Sequence, residues 1–390
     1  MTRPSVRMIA ARVGVSAATV SRVLNDRPGV SEELRARVLQ GMREHGLIAP
    51  TVEPFVGIIV PELDNPVFPL LAGAIEAKLG AQGVTALIGS STAKGPTELD
   101  YISALVRRGI QGLVLISGRH ANPAADHGFY WQLHQQRIPM VLVGGRVDDL
   151  PVSTVSTDEA LGAAMAVSHL RELGHTRIGL AGGQGYLRPS HNRLTGYWRE
   201  MRRSFGAVHD AFYVESDYSL TGGHAAARRL LETGATAIIC GSDLMALGAV
   251  AAVRQAGLSV PGDVSVIGYD DSYLAAHGDP ALTTVQQPVE QMATAVAQAL
   301  GQRLQGFHAP HVDHVFAPRL VVRASTAHAP SPTPPPNPTL SPDPTLAPAP
   351  LPTHSPEPRP AWPTTEARPT RPATEDHRGG GISGRSVGRG

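Results

Sequence analysis

The sequence predicts an α/β protein in which a small helical unit precedes two doubly wound, parallel-sheet subdomains. Between residues 55 and 325, short uninterrupted runs of Val, Ile and Leu alternate with segments of helical length. Because such runs bury both faces of a strand, they favour parallel sheets covered by helices. The chain has more of these runs than one five-stranded sheet needs. We therefore expect two sheets with a ligand-binding cleft between them.

Seven runs are predicted strands. They are FVGIIV (55–60), VTALI (84–88), GLVLI (112–116), PMVLV (139–143), RIGLA (177–181), AIIC (237–240) and VSVIG (264–268). We expect the first sheet to occupy about residues 55–155 and the second about 156–282, with a final segment that returns to the first sheet. Together they make one domain over residues 55–326.

Charge is unevenly distributed along the chain. The formal net charge is only +1, but residues 1–50 contain eight arginines and four acidic residues. Basic charge concentrated in a small unit suggests a nucleic-acid partner. No run approaches the roughly 18 apolar residues that span a bilayer, and no signal peptide is evident. We expect a cytoplasmic protein with no membrane partner, in which the single cysteine, Cys240, is a core residue.

The composition changes at residue 327. Half of the chain's 34 prolines follow residue 326, mixed with Ser, Thr and Ala. Such a segment buries too little apolar area to offset the entropy lost on ordering. We expect residues 327–390 to be a disordered tail, either simply solvated or docking a partner.

Residues 5–25, SVRMIAARVGVSAATVSRVLN, have the pattern of two short helices joined by a tight turn. Ser5 and Ser16 can each cap a helix, and Gly14 suits the turn between them. A third helix is predicted from Ser31. This three-helix pattern over residues 1–50 is typical of a helix-turn-helix headpiece, whose second helix enters the major groove of DNA. An ordinary helical hairpin is the alternative.

The strings VSAATVSRVLN and VSEELRARV in this unit resemble the headpiece of the LacI/GalR family of bacterial transcriptional regulators. The resemblance continues through DNPVF (64–68), LGHTRIGLAGG (173–183), RLTGY (193–197), SDLMALGAV (242–250), VPGDVSVIGYDD (260–271) and PALTTVQQP (280–288). It implies a repressor that binds a double-stranded operator as a homodimer and a small effector, a sugar or nucleoside-like molecule, in a periplasmic-binding-protein-like domain. It implies no cofactor and no enzymatic activity.

The resemblance also implies which residues meet DNA. Ala17, Ala18 and Arg22 take the positions that read base edges, and Arg22 can hold a guanine with two hydrogen bonds. Other polar residues of the second helix take positions that hold phosphates or sugars. The implied set is Ser16, Ala17, Ala18, Thr19, Ser21, Arg22 and Asn25.

The implied effector-binding set is Phe68, Arg193, Tyr218, Ser242 and Asp270. Arg193 would grip the effector, Asp270 would accept its hydroxyl hydrogens, and the two aromatic rings would pack against its faces. Ser242 replaces the asparagine that is usual in the family. Alternatively, Arg193 is a surface charge, Asp270 caps a turn, and the aromatic residues are plain core.

Enzyme motifs are not evident. AGGQGYLR (181–188) lacks the third glycine of a dinucleotide-binding turn, and no phosphate-binding loop occurs. The histidines of HAPHVDH (308–314) suit metal binding by their spacing, but a connecting loop and strand is the favoured interpretation. An exported sugar-binding protein would share the architecture but would need a signal peptide in place of the headpiece.

The connection between headpiece and first strand departs from the family pattern. Family members usually follow the headpiece with a hinge of about fifteen residues that wedges leucines into the minor groove. Here residues 51–54 alone separate Pro50 from Phe55, and two prolines stiffen this linker.

Because residues 51–54 cannot form a hinge helix, we predict nearly straight operator DNA in the complex. The inserted wedges of hinge-bearing proteins kink DNA by roughly 20–90°. Circular-permutation gels of the bound operator measure this bend directly. A sharp central bend would show that another segment performs the task of the hinge.

Overall fold

The described residues of the headpiece include two complete helices, α1 (Ala17–Leu24) and α2 (Glu32–Glu44). The computed structural model of the chain describes residues 10–11, 13–24, 30–44, 55–91, 95–206, 210–306 and 310–330. Ser16 Oγ accepts a hydrogen bond from the Thr19 N–H at 3.0 Å, and Gly14 takes a φ of 70° in the turn before α1. These observations confirm the predicted second and third helices. The predicted first helix is described only at its end, where residues 10, 11 and 13 are helical.

The elements of the larger domain are numbered onward along the chain. They are β1 (Phe55–Val60), α3 (Val67–Gly80), β2 (Thr85–Ser90), α4 (Glu98–Arg107), β3 (Gly112–Ile116), α5 (Gly128–Gln135), β4 (Met140–Val143), β5 (Ser153–Thr157), α6 (Glu159–Glu172), β6 (Ile178–Gly182), α7 (Arg188–Phe205), β7 (Tyr213–Glu215), α8 (Leu220–Glu232), β8 (Ala237–Cys240), α9 (Asp243–Gln255), β9 (Ser265–Asp270), α10 (Tyr273–His277), β10 (Thr283–Gln286), α11 (Val289–Leu304), β11 (Asp313–Phe316) and β12 (Arg319–Val321).

Within the described residues, the strands form two six-stranded sheets. Their orders are β11-β5-β4-β3-β1-β2 and β12-β10-β9-β8-β6-β7. The pairs are parallel except β10 with β12, which are antiparallel. This confirms the predicted pair of parallel sheets, and each of the seven predicted strands is present. None of the described helices is long and apolar enough to span a bilayer.

The strands that sequence reasoning missed are short or polar. The residues of β5, STVST, alternate between buried and half-buried and include no long apolar run. Strands β7, β10 and β12 contain three or four residues each. Strand β11 lies in the segment interpreted as a connecting loop and strand, and it pairs with β5 in the first sheet.

Within the part of the chain that the structure describes, three crossings connect the two subdomains. The first crossing follows β5, the second precedes α11, and the third joins β11 to β12. The expected return to the first sheet is therefore confirmed, but β12 adds an unforeseen last crossing back to the second. The second subdomain continues beyond the predicted end at residue 326, because the Ala329 N–H donates to Leu173 O at 2.8 Å. Most of the predicted tail, residues 331–390, and the linker at 51–54 lie outside the described residues.

Helices α6 and α7 approach each other closely at Gly196. A Cβ at this position would overlap the backbone of Ala160 in α6. Gly196 lies about one helical turn after Arg193, whose partner Glu159 is the first residue of α6. This glycine therefore sets the distance between the two helices that carry Arg193 and Glu159.

We predict that Gly196→Ala lowers the free energy of unfolding by about 1–3 kcal/mol, because the added methyl overpacks a rigid backbone contact. Urea denaturation measures the change. The neighbouring, exposed Thr195→Ala is the control and should stay within about 0.5 kcal/mol of the parent. Equal stability of the two variants would refute the close-packing argument.

Candidate functional site

A cavity of about 370 Å³ lies between the two subdomains. Its polar walls are made by residues at or just after the carboxyl ends of strands, including Glu62 after β1, Gln184 after β6 and Gln287 after β10. Open parallel sheets bind ligands at this edge, because the loops that follow the strands converge there. The volume lies at the small end of the range of roughly 300–1,000 Å³ for small-molecule sites.

Arg193 forms the floor of the cavity. Its side chain is 10% exposed, and its Nε donates to Glu159 Oε2 at 2.7 Å. Its Nη1 donates to the Gly241 carbonyl at 2.5 Å, and its guanidinium carbon lies 3.8 Å from the centre of the Tyr269 ring. Burial is the largest single influence and opposes the charged form, but Glu159, Tyr218 and Tyr269 together outweigh it and hold the pKa of Arg193 well above its ordinary value. Arg193 is therefore a fixed, permanently charged group and not a surface residue.

Asp270 faces the same cavity from the end of β9. Its backbone takes a φ of 106°, which is rare for a residue with a side chain and is concentrated at functional sites. Gln287 Nε2 donates to Asp270 Oδ1 at 2.7 Å, and Thr157 Oγ1 donates to Gln287 Oε1 at 2.9 Å. Burial raises the pKa of Asp270 well above the ordinary carboxyl value, Arg193 opposes this shift and Asp243 adds to it. The carboxyl group is thus held in place and able to share a hydrogen with a ligand.

Aromatic residues line the cavity from both subdomains. The Tyr218 hydroxyl shares a hydrogen bond of 2.7 Å with Ser190 Oγ and accepts one of 3.3 Å from Arg193 Nη1. Phe68, in α3, lines the cavity from the first subdomain and is half-buried. These rings provide apolar surface next to polar groups, as a ligand with C–H faces and hydroxyl edges requires.

Ser242 does not line the cavity, in contrast to the expectation from its position. It is fully buried, and its Oγ accepts the Met245 N–H at 3.2 Å as the N-cap of α9. Replacement of the family's asparagine by serine is compatible with this capping role. The neighbouring Asp243 accepts hydrogen bonds from Ser272 N–H at 2.7 Å and Thr284 Oγ1 at 2.6 Å, and so supports the loop that follows Asp270.

Sequence reasoning missed several polar residues of the cavity. Glu159 and Gln287 stand at two of the crossings between subdomains, and Glu62 follows the first strand. Their position along the chain could have identified them, since each lies within two residues of the carboxyl end of a strand. For Glu159 and Gln287 the strands concerned, β5 and β10, have no apolar run that marks where they end, so the sequence does not single out the residues that follow them. The missed polar lining residues are Glu62, Asn65, Ser117, Thr157, Glu159, Gln184, Ser190, Asp217, Ser219 and Gln287.

The residues expected to contact DNA lie on or beside α1. Ala18 and Arg22 are exposed, whereas Ala17, Thr19 and Ser21 are half-buried. Ser16 is exposed but its hydroxyl is engaged, both as the cap of α1 and with Thr19 Oγ1 at 2.8 Å. Asn25 lies outside the described residues. Inside the headpiece, Val20 and Val38 are fully buried, so the outer face of α1 is set by this small core.

Known proteins resemble both parts of the chain. Residues 6–49 match the family of bacterial regulatory proteins called lacI, and residues 167–326 match a periplasmic binding protein-like domain. The HTH-type transcriptional regulator MalR of Streptomyces coelicolor is 44% identical over 331 residues, which cover 83% of this chain and 96% of MalR. The transcriptional repressor CytR of Escherichia coli is 31% identical and matches 84% of this chain and 98% of CytR.

The chain belongs to the LacI family. Solved structures of LacI-family proteins have the same fold. A lac repressor dimer bound to operator and an anti-inducer is 25% identical, with a TM-score of 0.65, and matches 84% of this chain and 100% of its own. A complex of the regulator CelR with cellobiose is 29% identical, with a TM-score of 0.64, and matches 83% and 100%. The protein is a DNA-binding transcriptional regulator and not an enzyme.

The described residues of the two motifs that suggested other chemistry make structural contacts. In AGGQGYLR, Gly183 leaves room for the Tyr218 ring, which a Cβ would overlap, and Gln184 Nε2 donates to Asp217 Oδ1 at 3.0 Å. In HAPHVDH, His308 lies outside the described residues, and His314 stacks on Phe316 in β11 at 6.1 Å between ring centres. The described part of the chain holds no cluster of three residues suited to a metal ion.

We predict that Arg193→Met lowers the free energy of unfolding by about 3–5 kcal/mol, because it leaves the Glu159 carboxylate buried without its partner. The double variant Arg193→Met/Glu159→Gln should recover much of this loss. Urea denaturation of the parent, both single variants and the double variant measures the coupling. Additive losses would mean that the two charges do not interact in the folded protein.

Proposed function

We propose that this LacI-family protein is a repressor that binds an operator as a homodimer and whose DNA affinity is set by a carbohydrate effector in the cavity between its subdomains. The observation that carries the proposal is the convergence of Phe68, Arg193, Tyr218 and Asp270 on one cavity. If these residues were surface charges and plain core, they would have no reason to meet. The proposal places the protein in the cytoplasm, with the DNA it regulates.

The cavity chemistry suits a polyhydroxylated ligand. Sugar hydroxyls both donate and accept hydrogen bonds, so their site needs both kinds of partner. Asn65, Ser190 and Gln287 provide amide and hydroxyl groups, while Arg193 donates and Asp270 accepts. The CelR structure contains cellobiose, and another LacI-family structure, 27% identical, contains ribose. These ligands support a carbohydrate as the effector class for this chain.

A ligand in this position contacts both subdomains at once. The three chain crossings connect them, and the hydrogen bond from Thr157 to Gln287 joins two of the crossings. Asp148 of the first subdomain also forms an ion pair of 2.8 Å with Arg188 of the second. The ligand binds more tightly to some relative positions of the two subdomains than to others. This difference in affinity increases the population of the positions that it prefers. DNA affinity then changes if the placement of the two headpieces of a dimer depends on the relative position of the subdomains.

Exposed apolar side chains support self-association. Leu63, which precedes α3, and Leu70, in the first turn of α3, are 55% and 48% exposed. Leu87 and Ile88, on the edge strand β2, are 46% and 49% exposed. An edge strand with unshielded large aliphatic side chains is uncommon in monomeric proteins. One headpiece also buries too little surface for specific DNA affinity, and a pair reads two half-sites.

The proposal is tested with full-length protein and an operator selected from random duplexes. We expect one sugar from a panel of cellobiose, maltose, ribose and glucose to raise the melting temperature and to change operator affinity by roughly 5–150-fold, measured by fluorescence anisotropy. Asp270→Asn should abolish both responses, while Asp279→Asn, whose side chain is 93% exposed, should abolish neither. A sugar that binds without any change in operator affinity would refute the proposed regulation.

Arg22 gives a separate test of DNA recognition. We predict that Arg22→Ala weakens binding to the selected operator by about 1–3 kcal/mol, because a bidentate guanine contact is lost. Binding to scrambled DNA should change far less. The exposed Arg228→Ala, on α8, controls for the loss of one positive charge. Equal losses on the two DNA sequences would assign Arg22 to a phosphate contact.

A further inference from the structure

The walls of the effector cavity carry more acidic than basic side chains. Four carboxyl side chains line it, namely Glu62, Glu159, Asp217 and Asp270. Among the described residues that line the cavity, Arg193 is the only one with a cationic side chain. A phosphate ester or a carboxylate placed here would therefore meet three acidic groups beyond the one that Arg193 pairs with.

The charge of Arg193 is already compensated. Its Nε donates to Glu159 at 2.7 Å, in a pair whose side chains are 10% and 8% exposed. Its Nη1 is bonded to Gly241 O and to the Tyr218 hydroxyl. Binding an anion would require Arg193 to share its charge between Glu159 and the ligand. Because the pair is buried, weakening it leaves a carboxylate with little solvation.

Two of the remaining acids, Glu62 and Asp270, already lie in surroundings that disfavour their charged form. Burial and the neighbouring charge of Asp64 raise the pKa of Glu62. At Asp270, burial is again the main cause of the raised pKa, and Asp243 behind it contributes. The negative charge of an anionic ligand would disfavour the ionised forms of Glu62 and Asp270 still further.

Helix N-termini ordinarily attract anions, but here they do not offset the excess of acidic side chains. The N-termini of α3, α7 and α8 lie near the cavity. Some of their backbone N–H groups already donate to side chains of the protein, and in α7 a proline has no N–H to donate. Asn65 Oδ1 accepts the Val67 N–H at 3.4 Å, and Ser219 Oγ accepts the Gly222 N–H at 2.9 Å. Pro189, in the first turn of α7, has no N–H.

Two further arginines lie close to the cavity but are held elsewhere. Arg188 and Arg146 line a neighbouring cleft and not the effector cavity. Both pair with Asp148, at 2.8 Å and 3.1 Å. Their charge is thus shared with a carboxylate outside the walls of the effector cavity.

We infer that the cavity selects uncharged ligands and rejects their phosphorylated and carboxylated counterparts. This inference rests on the proposed function and narrows its ligand class to neutral sugars. A phosphate monoester carries a charge of about −1.5 to −2 at pH 7. Selection of this kind would let the regulator respond to a free sugar while its phosphorylated form is present.

The test compares matched pairs by titration calorimetry on the full chain at pH 7. The pairs are cellobiose and cellobiose 6-phosphate, maltose and maltose 6-phosphate, ribose and ribose 5-phosphate, and glucose and glucose 6-phosphate. We expect the neutral member of a pair to bind and its ester to bind at least roughly 100-fold more weakly. The inference is overturned if an ester binds as tightly as its neutral sugar, or if the ester binds and the neutral sugar does not. Failure of the proposed function is a different result, namely a bound sugar that leaves operator affinity unchanged.

Charge-neutralising variants separate repulsion from lack of space. Glu62→Gln/Asp217→Asn removes two negative charges at nearly constant volume and should strengthen ester binding by about tenfold. Higher ionic strength should also narrow the difference within each pair. Glu76→Gln/Asp279→Asn, at exposed positions outside the cavity, should leave the ratio unchanged. If the ester binds no more tightly to Glu62→Gln/Asp217→Asn than to the parent protein, its rejection is steric. That result would overturn the inference.

Discussion

The buried ion pair between Arg193 and Glu159 is the interaction on which the arrangement of the cavity depends. It joins the start of α6 to the second turn of α7, and both helices follow strands that end at the cavity. A buried pair of this kind contributes little net stability compared with apolar packing. Its value lies in geometry, since a guanidinium held by Glu159, Gly241 O and the face of Tyr269 has one orientation. Tyr218 and the ligand-facing atoms are then positioned against a rigid group.

The backbone around this ion pair also fixes the orientation of the groups that line the cavity. Gly196 allows α6 and α7 to approach closely enough for the pair to form, and Gly183 leaves room for the Tyr218 ring. Asp270 occupies a strained backbone conformation that the hydrogen bonds of Gln287 and the loop support. Strain of this kind persists only where the surroundings fix it. Local sequence choices at these positions therefore serve the cavity and not the stability of individual elements.

Much of the fold could be predicted because buried parallel strands have a local signature. Runs such as FVGIIV and GLVLI are apolar on both faces, and each is a central strand with almost every residue buried. The strands at the crossings lack this signature, since their neighbours and not their composition make them strands. Thr157 and Gln286 end strands of mixed polarity, so the polar residues that follow them were overlooked. Ser242 was misassigned for a related reason: a serine at the end of a strand can face a ligand or cap the next helix, and only the backbone direction decides.

Whole-chain charge was a poor guide to the binding partners, because opposite charges are collected in different parts of the molecule. The net charge of +1 is the sum of a basic headpiece, suited to a polyanion, and a cavity with four carboxyl groups and one arginine. DNA phosphates require exposed cations such as Arg22, whereas Arg193, the one cation among the described residues of the cavity wall, is buried and paired. A protein that must bind one polyanion and sense a small molecule gains from this separation. A cavity lined by four carboxyl groups does not compete with the headpiece for phosphate groups.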